Sequence, residues 1–139
     1  MLLSITITHE KKLADALGLM EKFLGEIAGL GNKLGALLIQ LPPSLEFEPD
    51  VARPFFEWVR EHHEGDVFLE PRNRSWFTLP ANKMLYDLRL GRVAADPTVV
   101  QSAGEPGGVA GRVYFRLHGS PQIYFSSYTS SYLEGLAFR

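Results

Sequence analysis

Short apolar, β-prone segments alternate with helical segments along this chain, and the alternation constrains its fold more than any other feature. Four of the apolar segments end in a polar side chain, namely Gln40, Glu70, Asp96 and His118. Successive members of this set are 30, 26 and 22 residues apart. This spacing is the length of a strand plus a helix, and repeated units of that kind form a parallel sheet with right-handed crossovers. We therefore predict an α/β fold whose polar strand ends meet at the carboxyl edge of the sheet.

Individual segments are assigned from their periodicity and their flanking turn residues. Strands are predicted for residues 4–8, 35–43 (GALLIQLPP), 66–70 and 92–96 and for the run that begins at 113. Helices are predicted for residues 9–30 and 49–62, for a segment opened by 78–80, and for a short segment that begins at 129 or 131. The glycine-rich stretch 97–111 is predicted to be irregular.

The composition excludes several classes of protein. With 14 basic and 16 acidic residues the formal net charge is −2, so the chain lacks the basic surplus typical of nucleic-acid binding. The absence of cysteine excludes disulfides and thiolate metal sites. No apolar stretch reaches the roughly 18 residues that span a membrane, and the start lacks the pattern of a signal peptide. We expect a cytoplasmic protein that has no membrane partner.

Several short motifs resemble those of one family. They occur in the order ITHEKKL, LGALLIQLPPS, LEPRNRSWF, VAAD and VYFRLHGS, followed by three tyrosines and a leucine. Together they resemble the YecE-like family, also known as domain of unknown function 72, over nearly the whole chain. The resemblance implies a TIM-type (β/α) barrel, and it implies no particular activity because none is established for the family.

The chain departs from the family pattern in three respects. Asn73 stands where members usually carry a histidine, and Ser130 and Ser131 replace acidic residues at the start of the last helix. A complete barrel takes roughly 250 residues, whereas this chain supplies about five parallel strands. The resemblance thus implies a partial barrel, truncated at both ends, and we expect residues 1–139 to form a single, incomplete barrel domain.

Two pairs of residues at predicted strand ends are the main candidates for a site. Glu70 and Arg72 lie two positions apart on an extended segment, so their side chains leave on the same side and are able to share a ligand. Arg116 and His118 have the same relation. Arginine binds phosphate or carboxylate with two hydrogen bonds, and histidine serves as acid, base or metal ligand. The alternative for Glu70 and Arg72 is a salt bridge that shapes the rim.

The remaining candidates each have a structural alternative. Asp96 is a candidate acid or base, or a turn residue before Pro97. His9 faces the same edge as a substrate-binding residue, or caps the first helix. Trp76 stacks on a ligand, or covers the core. Tyr124 and Tyr128 match family tyrosines near the rim, which implies a role in substrate binding.

Two functional hypotheses follow. In the first, the protein is an enzyme that binds an anionic, phosphate-bearing substrate through Arg72 and Arg116. Glu70, Asp96 and His118 then supply acid–base chemistry or ligate a divalent metal, and phosphoester or phosphodiester hydrolysis is the preferred reaction. In the second, the chain is a non-catalytic fragment or an interaction piece of a split barrel. In either case, an open parallel sheet exposes unpaired strand edges, which predicts self-association.

Overall fold

The computed structural model describes residues 1–3 and 6–138 and shows a mixed α/β fold. Four α-helices occur in this part of the chain: α1 (Leu17–Ala28), α2 (Pro49–His62), α3 (Leu79–Asp87) and α4 (Ser130–Ala137). Six strands accompany them: β1 (Leu37–Leu41), β2 (Val67–Pro71), β3 (Gly91–Arg92), β4 (Ala94–Asp96), β5 (Gly107–Gly108) and β6 (Phe115–Leu117). Short 3-10 helices cover Gly31–Lys33, Arg74–Phe77 and Gln101–Gly104.

Parallel pairing dominates the sheet. β1 and β2 are parallel over the register from Leu37 with Val67 to Leu41 with Pro71. β3 runs parallel to β2, and beyond Val93 the same stretch of chain becomes β4, which runs parallel to β6. These pairings confirm the predicted α/β fold with mostly parallel strands. Within the described residues the strands form a four-stranded and a two-stranded sheet and do not close into a barrel.

The glycine-rich stretch 97–111 is more ordered than predicted. It contains the 3-10 helix Gln101–Gly104 and strand β5, which pairs antiparallel with β3. Gly108 has a φ of +73°, and the neighbouring Val109 N–H donates to the Leu90 carbonyl at 2.9 Å. A backbone this close to β3 is accessible to glycine because it carries no Cβ. The prediction of irregular structure is therefore wrong for β5.

The two faces of the sheet carry different cores, because successive residues of a strand point to opposite sides. One face, called here the helix-covered face, bears Leu37, Ile39 and Leu69 and packs against buried residues of the helices such as Phe56 and Val59. The opposite face bears a smaller apolar cluster of Leu38, Phe68, Val93 and Ala95. Gln40 lies two residues after Leu38, and Glu70 lies two residues after Phe68. Gln40 and Glu70 therefore belong to this opposite face.

The beginning of the chain differs from its prediction. Parallel pairing occurs at residues 1–3, where Leu3 N–H donates to the Leu38 carbonyl at 2.9 Å. Of the predicted strand 4–8, residues 4 and 5 lie outside the described residues, and the rest belongs to a π-helical turn, Thr6–Glu10. Ile7 and Thr8 are buried in that turn, so burial rather than strand pairing explains their apolar and β-branched character.

Helix α2 has the predicted bounds, whereas α1 begins eight residues later than predicted. Lys12, Leu13 and Asp15 have positive φ angles, between 48° and 69°, and a right-handed helix cannot pass through such residues. Leu13 is nevertheless buried in the main core, which explains why it fits the helical periodicity. No helix among the described residues is long and apolar enough to cross a bilayer.

Candidate functional site

Glu70 is the centre of a buried ionic cluster at the carboxyl edge of the sheet. It is the next-to-last residue of β2, and its side chain is only 1% exposed. Arg72 Nη2 donates to Glu70 Oε1 at 2.5 Å, and Arg116 Nη1 donates to Glu70 Oε2. Charge-assisted hydrogen bonds of this kind are the strongest in proteins. Each carboxylate oxygen of Glu70 is thus bound to a different guanidinium group.

His118 completes the cluster from beyond the end of β6. Its Nε2 atom lies 3.2 Å from Glu70 Oε1 and 3.1 Å from Arg72 Nη2, and its side chain is 11% exposed. Gln40 joins at longer range, because its Oε1 atom is 3.4 Å from Arg116 Nη1. The polar cluster is defined hereafter as Gln40, Glu70, Arg72, Arg116 and His118. It holds one carboxylate against two guanidinium groups and therefore carries a net positive charge before His118 is counted.

The strand register explains why these residues meet. Gln40 and Glu70 are register partners in β1 and β2, and Arg116 is the register partner of Ala95, which belongs to the apolar cluster of the opposite face. Paired residues of parallel strands point to the same side of a sheet. The polar cluster therefore lies directly above the apolar cluster of Leu38, Phe68, Val93 and Ala95, on the same face.

One buried donor of the polar cluster has no acceptor within the described part of the chain. Arg72 Nε is buried and makes no hydrogen bond there, although Arg72 Nη2 contacts both Glu70 and His118. Buried N–H groups are nearly always satisfied in folded proteins. The polar cluster thus combines an excess of positive charge with an unused donor.

Asp96 lies at the same edge of the sheet but belongs to the helix-covered face, since it follows Ala95. Its Oδ2 atom accepts from the Tyr128 hydroxyl at 2.6 Å, and that hydroxyl accepts from Gly119 N–H at 2.9 Å. Partial loss of hydration, followed by the hydrogen bond to Asp96, raises the pKa of Tyr128 above its ordinary value. The predicted meeting of strand-end residues therefore holds for Glu70, Arg72, Arg116 and His118, whereas Asp96 contacts Tyr128 instead.

The other predicted binding residues lie in different surroundings. Tyr124 is exposed, and its ring centroid is 6.1 Å from that of His118 in an edge-to-face contact. His9 is exposed, and its Nδ1 lies 2.8 Å from the hydroxyl of Thr8. Trp76 is fully buried and donates from Nε1 to the Leu45 carbonyl at 3.0 Å. Of these three, only Tyr124 has a described contact with the polar cluster.

Trp76 also borders a cavity of about 340 Å³. The cavity lies between two loops, one that follows residue 11 and one that follows strand β1. Apolar side chains of Leu13, Leu45 and Val51 line it together with the indole. Phe47 and Phe56 pack edge-on against Trp76 at centroid distances of 5.0 and 6.3 Å. These contacts match the structural alternative for Trp76, an aromatic side chain that covers the core.

Asn73, which stands at the position of the usual family histidine, has a local structural role. Its Oδ1 atom accepts from both the N–H and the hydroxyl of Ser75, and its Nδ2 donates to the Pro43 carbonyl at 2.7 Å. Asn73 thereby caps the 3-10 helix Arg74–Phe77 and ties it to the loop after β1. Asparagine is well suited to such caps because its short side chain reaches the backbone two residues ahead.

Two residues near the site were not selected as functional by sequence reasoning. The side chain of Gln40 contacts Arg116, and its place at a predicted strand end was the available signal. Gly119 has a φ of +98°, which the amino-acid sequence does not reveal. Within residues 1–3 and 6–138, no group of three or more His, Cys, Asp or Glu side chains is arranged to hold a metal ion.

Comparisons with known proteins agree with the fold. Among curated proteins none matches the chain. A crystal structure of a DUF72 family protein from Thermotoga maritima superposes with a TM-score of 0.71 at 23% identity, over 97% of this chain and 57% of that one. A DUF72 family protein from Enterococcus faecalis gives a TM-score of 0.60 at 18% identity, over 96% and 54%. The chain thus spans somewhat more than half the length of these two proteins.

A family model described as "Protein of unknown function DUF72" matches residues 3–139. This match covers the strands, the polar cluster and the loop that carries Tyr124 and Tyr128. The chain therefore belongs to the DUF72 family.

Proposed function

We propose that the protein binds a small anionic molecule, with a phosphate or carboxylate group, at the polar cluster. The observation that carries this proposal is the pairing of a single buried carboxylate, Glu70, with two guanidinium groups. An anion that contacts Arg72 and Arg116 would balance the second positive charge. The carboxyl edge is also where α/β folds generally bind their ligands.

The two arginines have donors that remain for a ligand. A guanidinium group has five N–H donors, and Glu70 uses few of them. Arg72 and Arg116 are 21% and 23% exposed, so solvent reaches both side chains. Because Glu70 fixes one end of each guanidinium group, little conformational freedom is lost when an anion binds.

Hydrolysis of a phosphoester or phosphodiester is the reaction that suits this arrangement. In the proposed step, the oxygen of a water molecule attacks phosphorus, the P–O bond to the leaving group breaks, and the leaving oxygen takes up a proton. His118 accepts the proton of the water and supplies the proton to the leaving group. Glu70 orients the imidazole, and the arginines stabilise the negative charge that develops on the phosphoryl oxygens.

The proposal assigns charge stabilisation to the arginines rather than to a divalent metal. Both oxygens of Glu70 already bind guanidinium groups, with which a cation would have to compete. The carboxylate of Asp96, the other predicted ligand, binds Tyr128 on the helix-covered face. These donors do not converge on one point, so the arginines are the better candidates for this role.

A purely structural role for the same contacts is the second candidate. A carboxylate bound by two arginines also serves to join β2 to β6, and such a piece needs no substrate. The favourable observation is that Glu70 is almost fully buried and each of its oxygens is paired with a guanidinium group, as in structural ion pairs. Anion binding distinguishes the two candidates, because a structural network gains nothing from added phosphate.

Calorimetry with inorganic phosphate and hydrolysis of p-nitrophenyl phosphate test the proposal. We expect Arg116→Gln to weaken phosphate binding by about tenfold or more, since it removes a charge-assisted hydrogen bond. His118→Ala should abolish hydrolysis and weaken binding less. Arg112→Gln is the matched control, because Arg112 is exposed and pairs with Asp66 at the opposite end of the strands. Absence of phosphate binding by the unmodified protein at millimolar concentration would refute the proposal.

A further inference from the structure

A ring of hydrogen bonds surrounds the backbone of His118 on the helix-covered side. His118 N–H donates to the Asp96 carbonyl at 2.8 Å, and Gly119 N–H donates to the Tyr128 hydroxyl at 2.9 Å. The Tyr128 hydroxyl in turn donates to Asp96 Oδ2 at 2.6 Å. We propose that Tyr128 and Asp96 form a positioning pair that fixes His118 against Glu70, without themselves contacting the ligand.

The position of Asp96 relative to the polar cluster supports this positioning role. Asp96 pairs in register with Leu117, whereas Arg116 pairs with Ala95, so Asp96 and Arg116 point to opposite faces of β4 and β6. The Asp96 side chain also borders a small cavity with Tyr132 and Leu136 of α4. It therefore acts on His118 through the backbone and through Tyr128 rather than through the polar cluster.

His118 needs such support because the chain turns sharply immediately after it. Gly119 has a φ of +98°, and a Cβ at this position would lie 2.9 Å from the Gln122 carbonyl oxygen and 3.0 Å from Tyr124 N. The following residues up to 125 are exposed, so few packing contacts hold this turn. The Tyr128 hydroxyl supplies a fixed partner for Gly119 N–H at the point where β6 ends.

Tyr128 is itself anchored to the last helix. Its ring stacks on Tyr132 with a centroid distance of 5.1 Å and an interplanar angle of 24°. Between them, Thr129 caps α4 through a hydrogen bond from Tyr132 N–H to its hydroxyl oxygen. The positioning pair thus connects α4 to the imidazole of the polar cluster, and it connects the helix-covered face to the opposite face.

The Tyr128→Phe variant tests the inference, because it removes the hydroxyl and keeps the stacked ring. We expect exchange of the Gly119 amide proton to accelerate about three- to tenfold, the effect of losing one ordinary hydrogen bond. The ¹⁵N chemical shift of His118 Nε2, which reports its contact with Glu70, should also change. Tyr132→Phe is the matched control and should change neither quantity.

A comparison within the same protein separates local loosening from general destabilisation. The amide of Val93, bonded to the Leu69 carbonyl at 2.8 Å in the sheet, should exchange at the same rate in Tyr128→Phe and in the unmodified protein. Faster exchange at Gly119 and Val93 alike would mean that Tyr128 merely stabilises the fold and would overturn the inference. Unchanged exchange at Gly119 and an unchanged His118 shift would overturn it as well.

The ligand-binding part of the inference rests on the proposed function, and phosphate titration tests it. Tyr128→Phe should weaken phosphate binding by about two- to threefold through its effect on His118, less than removal of His118 itself, and Asp96→Ala combined with Tyr128→Phe should weaken it no further. Additive losses would show that the two residues do not act as a pair. If the unmodified protein binds no phosphate, the proposed function fails, whereas the exchange and chemical-shift measurements still decide whether the pair positions His118.

Discussion

Glu70 of β2 and Asp96 of β4 lie at the carboxyl ends of their strands, but their carboxylates point to opposite faces. Glu70 follows Leu69 of the helix-covered face and therefore points toward Arg116, whereas Asp96 follows Ala95 and points toward Tyr128. The two acidic residues consequently have different partners, two guanidinium groups in one case and a phenol in the other. Substitutions at the two positions should therefore have different effects on charge balance.

Glu70→Gln should lower the free energy of unfolding by about 3 kcal/mol, because it leaves two guanidinium groups without their carboxylate. This loss of stability is at the low end of the range for a broken buried ion pair, because Arg72 and Arg116 keep contact with solvent. Urea denaturation measures it. The exposed pair of Arg53 and Glu57 provides the control, and Glu57→Gln should cost less than about 0.5 kcal/mol.

Added phosphate should restore part of the stability of Glu70→Gln. The variant removes the negative charge that competes with phosphate for both arginines. A ligand that binds only the folded state stabilises it by an amount that increases with the logarithm of its affinity. We expect phosphate to raise the melting temperature of Glu70→Gln more than that of the unmodified protein, as measured by thermal denaturation. Equal responses of the two proteins would contradict a shared anion site at Arg72 and Arg116.

His63 should make the stability depend on pH in mildly acidic solution. Burial, and then the positive charge of Arg60, lower the pKa of His63 below its ordinary value of 6.5, while Asp66 opposes this shift. The unfolded chain thus takes up its proton first as the pH falls. Stability from this group is present above pH 6.5 and is lost as the pH falls below that value through the lowered pKa.

The His63→Gln variant should lack this pH-dependent contribution to stability. Its free energy of unfolding should therefore change less between pH 7.5 and pH 5 than that of the unmodified protein. Denaturation at a series of pH values measures the difference. The matched control is His62→Gln, since His62 is exposed and its ring stacks on Trp58. Parallel pH profiles for His63→Gln and the unmodified protein would show that His63 does not contribute.

Asn73→Ala should cost about 1–2 kcal/mol of stability, because it removes the cap of the 3-10 helix and the bond to the Pro43 carbonyl. Phosphate affinity should stay the same, since the contacts of Asn73 are with the loops rather than with the polar cluster. Urea denaturation and calorimetry measure the two quantities, with the exposed Asn32 substituted in parallel. A loss of phosphate binding without a loss of stability would instead place Asn73 in the site.

Gly108→Ala should be strongly destabilising. Its φ is +73°, and an added Cβ would lie 2.1 Å from the Leu90 carbonyl oxygen, so β5 would have to separate from β3. We expect a loss of at least about 3 kcal/mol in urea denaturation. Gly135→Ala, in α4 with no neighbour within 4 Å of the added Cβ, should instead gain about 0.5–1 kcal/mol. A small effect at Gly108 would mean that β5 is dispensable.

Self-association through the edge of β6 remains a prediction. Among the described strands β6 pairs only with β4, and exposed apolar side chains accompany it, including Val113 at 53% and Phe125 at 82% exposure. An unpaired edge of this kind offers donors and acceptors to another strand. Sedimentation velocity should show association that increases with concentration and decreases in Val113→Lys. A single monomeric species at all concentrations would contradict the prediction.

The elements that sequence reasoning placed correctly are those whose periodicity follows from burial alone. β1, β2 and α2 bury continuous or regularly spaced apolar residues, and their observed bounds lie within two residues of the prediction. The start of α1 could not be predicted, because positive φ angles at Lys12, Leu13 and Asp15 depend on packing rather than on residue type. β5 was missed because two glycines carry no apolar pattern.

The candidate site was predictable to the extent that the sequence shows which face of a strand each residue occupies. The pairs Glu70–Arg72 and Arg116–His118 each lie two positions apart, so each pair shares a face wherever the strand is placed. Asp96 follows Val93, Ala94 and Ala95, which are all apolar, so the sequence contains no sign of which face it occupies. The contact between Asp96 and Tyr128 depends on the turn at Gly119, which tertiary structure determines.

The polar cluster is assembled from residues far apart in sequence, and this has a consequence for the order of folding. Arg116 binds Glu70 across 46 residues and Gln40 across 76, whereas β1 and β2 pair through a local strand–helix–strand unit. Non-local contacts generally form late because their loops must close first. Until β6 docks, Glu70 lacks Arg116 and His118, so a partly folded or nascent chain that has already formed β1 and β2 would have no competent anion site.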